Sequence, residues 1–252
     1  MSEQKAFTWL EHLEELRRVI LISLVALLIA TFGCYFYNDF FLGILTRPVH
    51  DLGLKLVFIG VAEGFFTQIQ VALYAGFVVS FPIIIWQIWR FIVPALYPHE
   101  KRYVLVLVPV SVLLFIGGVL FAYTTVFPIM LRFLLQVSGD LEPMITISQY
   151  VSFCVTFLLP FGIMFELPVF SMFLTRIGIL TPEWLIKNRK YALLVCFVVG
   201  AVLTPSPDPL SQILMAGPMY ILYEVSIVVS RVFRKKKAED DDQKKVENDD
   251  QE

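Results

Sequence analysis

Charged residues fall in short stretches along this chain, leaving six apolar runs at residues 19–38, 64–89, 103–131, 150–175, 191–207 and 209–223. Five carry no charge at all, and the fourth carries only Glu166. The sixth can extend past Glu224 to Ser230. About 20 apolar residues at 1.5 Å each cross the roughly 30 Å hydrocarbon layer of a bilayer. The pattern therefore predicts an all-α, polytopic membrane protein with six transmembrane helices. The runs are unequal: the third could be about 43 Å long as a helix and the fifth only about 25 Å. Long spans should tilt, and the bilayer should thin beside the short fifth and sixth spans.

Composition agrees. Hydrophobic residues make up 58% of the 252 residues and charged ones 17%, against about 45–50% and 25% in soluble domains. The mean hydropathy is +0.74. Cys34, Cys154 and Cys196 all lie in apolar runs, which argues against a disulfide framework or a metal cluster. The first 18 residues contain Glu3, Glu11, Glu14 and Glu15 without a small-residue cleavage site after them, so no cleavable leader is expected. Of the 20 Lys and Arg residues, 17 fall in the N-terminal segment, the second and fourth connections and the C-terminal tail. Arg47, Lys55 and Arg132 are the other three. This asymmetry predicts that both termini are cytoplasmic.

The first and third connections are long and rich in Phe, Leu and Ile, so short interfacial helices are expected there. Pro48 should break the first into two segments. Residues 204–209 hold three prolines and should form a rigid non-helical turn. Three regions result: a cytoplasmic amphipathic helix over residues 1–18, a six-helix membrane domain over 19–230, and a charged tail over 231–252. The tail changes from basic to acidic and is too polar to bury a core, so disorder is expected. Its basic part can rest on anionic headgroups. No internal repeat is visible, which weakens an inverted-repeat transporter reading.

Nothing in the chain reads as a catalytic site. His12, His50 and His99 are widely separated, and no phosphate-binding loop or nucleophile elbow is present. The carboxylates are more informative. Glu166 lies inside an apolar run, where an ionised acid costs roughly 2.5–3.5 kcal/mol on insertion scales. It is either neutral and hydrogen-bonded to a neighbouring helix or faces something polar within the membrane. In residues 7–18, Leu10, Leu13, Leu16 and Ile20 recur at helical spacing, placing Glu11 and Glu15 on one face and pairing Glu14 with Arg18. Glu100 sits in a cytoplasmic connection constrained by Pro94 and Pro98. It either pairs with Lys101 or Arg102, or acts with an acid of the N-terminal helix to hold two cationic groups of a ligand. Arg is the cation best matched to such carboxylates.

Four motifs in order carry a resemblance: His12-Leu-Glu-Glu-Leu-Arg17, Phe91 with Pro94-Ala-Leu-Tyr97 and His99-Glu100, Phe165-Glu-Leu-Pro168, and Leu203-Thr-Pro205 with Asp208 and Ser211-Gln212. Together with the topology, they make the chain resemble the TatC family, the multispan core of the twin-arginine (Sec-independent) protein translocase, up to about Phe233. The resemblance implies a concave, glove-like bundle in a bacterial cytoplasmic (inner) membrane. It would receive Arg-Arg signal peptides of folded proteins and scaffold TatA- and TatB-type single-span partners. Export would be driven by the proton-motive force. Residue by residue, it implies that Glu15 and Glu100 receive the arginine pair, with Arg17 and Phe91 in the same region. Glu166 would be the acid of the membrane-facing hollow, Pro48 and Asp208 would belong to outward loops, and Thr204 and Gln212 would mark partner docking. The sequence 204–209 is one residue longer than the family pattern. Self-association is expected, with no cofactor, metal or nucleic-acid partner. A competing reading makes the chain a secondary transporter of a small cation or solute, coupled through Glu166.

Overall fold

The computed structural model describes residues 9–96, 102–137, 144–204 and 208–249. Helix α1 (Trp9–Tyr35) is followed by α2 (Asn38–His50), a two-residue strand β1 (Leu56–Val57) and the long α3 (Glu63–Leu96). The third run becomes α4 (Arg102–Phe121), a π turn (Ala122–Val126) and α5 (Phe127–Val137). Strand β2 (Ile145–Thr146) leads into α6 (Ile147–Met164) and α7 (Leu167–Arg176), and α8 (Pro182–Lys187), α9 (Arg189–Leu203) and α10 (Pro209–Asp249) complete the chain.

Among the described residues the fold is all-α apart from the short parallel pair β1–β2, in which Leu56 lies opposite Ile145. Among these residues, as described, five helical stretches are long and apolar enough to cross a membrane: Leu13–Tyr35, Glu63–Ile92, Leu105–Val137, Ile147–Arg176 and Pro209–Arg234. The fifth apolar run gives α9, whose 15 residues span about 22 Å. Large apolar side chains face outward along these helices; Ile29 and Phe32 are each 69% exposed. Such exposure fits contact with lipid tails and would be unusual in water.

Some expectations are modified. Of the expected N-terminal helix, residues 9–18 are continuous with the first span inside α1, and residues 1–8 lie outside the described residues. Pro48 leaves α2 unbroken, because it lies in the last turn, where only one ladder bond is lost before the helix ends at His50. Helix α10 continues through the charged tail to Asp249. Five Lys and three Glu in the tail are good helix formers that need no buried face. Polarity excluded a packed core for that segment, not helical backbone.

The chain divides into two compact units, Met1–Leu113 with Glu142–Val155, and Leu114–Leu141 with Thr156–Glu252. In the first unit α1 and α3 run side by side. Asn38 Nδ2 donates to the Gln68 carbonyl at 3.0 Å, and a β-carbon added to Gly76 would lie 2.6 Å from Thr31 Cα. These contacts set an antiparallel register and bring two backbones together where only glycine leaves room. Trp89, fully buried, donates its indole N–H to Ser111 Oγ at 3.1 Å and fixes α3 against α4.

In the second unit α10 packs on α7 and α9. Ser171 Oγ reaches the Ser226 carbonyl at 3.3 Å, and the Thr175 and Ser230 hydroxyls lie 2.6 Å apart. Small hydroxyl residues at such contacts are expected between helices in lipid, where no hydrophobic force drives apolar faces together.

Candidate functional site

Span four is interrupted where its charge lies. Helix α6 ends at Met164, Phe165 and Glu166 form a turn, and α7 restarts at Leu167. Pro168 explains the break: it has no N–H for the Met164 carbonyl, and its ring disfavours helical backbone before it. The Glu166 N–H donates to Ile163 O, and its carbonyl accepts from Phe170 N, both at 3.0 Å. Glu166 is only 4% exposed. It stands at the N-cap of α7, where the aligned peptide dipoles favour negative charge.

The break is held by an interlock of glycines and phenylalanines. A β-carbon at Gly118 would lie 2.8 Å from the Phe165 ring, and one at Gly162 would lie 2.6 Å from the Phe115 ring. Phe115 of α4 thus sits over Gly162 of α6, and Phe165 of the turn sits over Gly118, next to Glu166 in the chain. Phe121 continues the stack, 5.8 Å from Phe165 and 6.3 Å from Phe161 between ring centroids. Phe121 also precedes the π turn, in which the Phe127 N–H reaches Ala122 O. Pro128 follows and lacks a donor, which accounts for the widened ladder. The sequence marks Glu166 as unusual, but the Gly118 and Gly162 seats were not anticipated.

The candidates from the N-terminal segment and the second connection fall in the first unit. Glu15 is half-buried and Arg17 exposed on α1, while Phe91 is half-buried on α3. From the Thr31–Gly76 contact, Glu15 lies 16 residues back along α1 and Phe91 lies 15 residues onward along α3. At 1.5 Å per residue these are about 24 and 22 Å in the same direction, so the two residues reach one level of the antiparallel pair. Glu100 lies outside the described residues.

The remaining candidates occupy helix ends. Pro48 is in the last turn of α2, next to the fully buried Val49. Asp208 caps α10, its Oδ1 accepting from Ser211 N at 2.7 Å. The Asp-Pro pair at 208–209 is a legible cap followed by proline at the first helical position. Thr204 is 8% exposed at the end of α9, and its Oγ1 has no hydrogen-bond partner among the described residues. Gln212 Nε2 donates to Phe197 O at 2.8 Å, tying α10 to α9.

Sequence reasoning missed two polar anchors. Glu63 accepts from the N–H groups of Ile59 at 2.8 Å, Gly60 at 3.2 Å and Ser148 at 3.3 Å. Glu224 accepts from Arg189 at 2.6 Å and from the Tyr220 hydroxyl at 3.0 Å. The spacing of Tyr220 and Glu224, one helical turn apart, was a readable signal; the Arg189 partner was not.

Comparison with known proteins agrees with this architecture. Residues 11–218 match the family described as TatC, Sec-independent protein translocase protein. The TatC protein of Carboxydothermus hydrogenoformans is 51% identical over 235 residues, covering 93% of this chain and 97% of its own. The TatCy protein of Bacillus subtilis is 36% identical over 229 residues, covering 90% of each chain. A crystal structure titled as the twin arginine translocase receptor TatC superposes with a TM-score of 0.81 at 38% identity, over 88% of this chain and 99% of that one. These relatives are protein-transport components and not enzymes, and they give no support to a small-solute transporter. The chain belongs to the TatC family of Sec-independent protein translocase proteins, multi-pass proteins of the membrane.

Proposed function

We propose that this protein is the subunit that recognises Arg-Arg signal peptides of folded cargo and scaffolds TatA- and TatB-type single-span partners. In this reading both termini are cytoplasmic in a bacterial inner membrane, and the proton-motive force drives export. The level shared by Glu15 and Phe91 is the observation that carries it. An acid on α1 and an aromatic on α3 reach the same level at one end of the pair, and Glu100 follows four residues after the end of α3. Two carboxylates there would pair with two guanidinium groups, and the Phe91 ring offers a face to one of them. Arg17 helps confine the peptide to that acidic pair.

Glu166 is assigned as a second, later contact. Its burial gives a polar partner more per contact than the rim acids offer in screened solution. Thr204, with a buried oxygen seeking a donor, and Gln212 are assigned to partner-helix docking. Pro48, in the last turn of α2, and Asp208, capping α10, are assigned to the outward loops.

The test is photo-cross-linking of an Arg-Arg signal peptide to the membrane-embedded protein. Glu15→Ala and Glu100→Ala should each reduce the cross-link about tenfold or more, and their combination should abolish it. A Lys-Lys peptide should bind the unsubstituted protein more weakly. Undiminished cross-linking in the double variant would refute the assignment.

A further inference from the structure

At the end of the first unit opposite Glu15 and Phe91 lies a cavity of about 480 Å³ between α2, β1 and the start of α6. Its size is within the roughly 300–1,000 Å³ range of small-molecule sites. Asp39, His50 and Lys55 line it, with Thr46 between them and Leu42 and Ile147 forming apolar wall. We propose that this cavity binds the phosphoethanolamine headgroup of a membrane phospholipid.

The cavity is built by the local fold. Gly53, at φ +73°, turns the chain sharply after α2, with the Gly53 N–H on His50 O and the Leu54 N–H on Val49 O. That left-handed position favours glycine and brings Lys55 back beside His50. Tyr150 fixes the α2 wall by donating to Leu45 O at 2.7 Å, and the β1–β2 pair fixes the other. Thr46 is committed to its own helix through the Leu42 carbonyl at 2.9 Å. The charged groups are not so engaged. Among the described residues, neither Asp39 nor Lys55 forms an ion pair, although both line the same space.

Opposite charges held apart in one cavity match a ligand that carries both signs. Lys55 and His50 present donors to a phosphate, and Asp39 presents an acceptor to a primary ammonium. A purely anionic headgroup would meet Asp39 as a like charge, and a trimethylated amine could not donate to it. The surroundings favour a membrane-held ligand. Phe36, Tyr37 and Phe40 are 69%, 70% and 64% exposed beside Asp39, at the end of the first span. Exposed aromatics at that depth form the interfacial belt at which headgroups lie. The proposal rests on membrane embedding alone, so it and the signal-peptide assignment can fail separately.

Lipid retention by the purified full chain, measured by native mass spectrometry, tests it with phosphatidylethanolamine, phosphatidylcholine and phosphatidylglycerol. Phosphatidylethanolamine should bind about tenfold more tightly than either of the others. Asp39→Asn should reduce it to the phosphatidylcholine level, and Lys55→Gln should weaken both of those lipids. Both side chains are exposed, outside the core. Equal retention of the three lipids, or a preference untouched by Asp39→Asn, overturns the proposal. Soluble phosphoethanolamine should not displace the lipid at equal concentration; if it does, the membrane source is overturned.

Discussion

The α1–α3 pair and the α9–α10 pair solve the same problem by different means. Helices α1 and α3 are long and apolar, and they meet through a glycine that lets Thr31 approach the Gly76 backbone. Helix α9 has 15 residues and is clipped to α10 by side chains near both ends. Gln212 holds Phe197 O near one end, and Arg189 holds Glu224 at the other. In lipid neither pair gains from hiding apolar surface, since the tails are as apolar as the helices. A long helix can accumulate dispersion contacts over many turns if its backbone comes close enough. A short one has fewer turns over which to do so, and polar clips add to its looser approach at Gly200, where a β-carbon would lie 3.3 Å from Gln212 O.

The comparison predicts where each pair breaks. Gly76→Leu should be the most damaging substitution, because even its first carbon would meet Thr31 backbone atoms at 2.6 Å. The overpacking should cost about 3 kcal/mol, read as lost thermal stability of the purified protein. If Gly76→Leu proves no worse than Gln212→Leu, close backbone approach is not what holds the first pair.

The clips should contribute less and act together. The Arg189 and Glu224 side chains are 42% and 34% exposed, so solvent discounts their pairing to about 1 kcal/mol or less in a double-mutant cycle. Gln212→Leu should cost a similar or smaller amount, about 0.6–1 kcal/mol. A cycle of Arg189→Ala with Glu224→Ala that shows no coupling would mean the short pair is packed like the long one.

Much of this frame was legible in the sequence. Apolar runs gave the helices because a charged interruption is costly in a bilayer, and the 191–207 run already marked α9 as short. Glu166 stood out because it lacked charged neighbours. What stayed hidden depends on register between distant residues. Gly118 and Phe165 are 47 positions apart, and nothing in either residue marks it as the other's seat. The pairing of Leu56 with Ile145 is likewise invisible in two-residue strands. Pro48 misled because the rule against proline within helices loses force in the last turn. Glu15 and Phe91 each belong to a recognisable motif, but their common level follows only from the Thr31–Gly76 contact.

A third clip lies just before α9 and allows the smallest effect to be separated by pH. Thr181 caps α8 by accepting from Trp184 N at 3.2 Å, and Glu183 in its first turn pairs with Arg234 of α10. The Glu183 carboxyl is held below the ordinary carboxylate value, first by its own backbone N–H and then by Arg234. A group whose pKa is lowered on folding contributes stability that is present above its unfolded value. That contribution fades as pH falls through the folded value. Between about pH 6 and pH 3, the native protein should therefore lose a small increment of thermal stability that Glu183→Gln lacks. Salt should shrink the Arg234 share, since the pair is solvent-exposed. Identical acid profiles for the two proteins would leave α9 tied to α10 by Gln212 and the Arg189–Glu224 pair, without this clip.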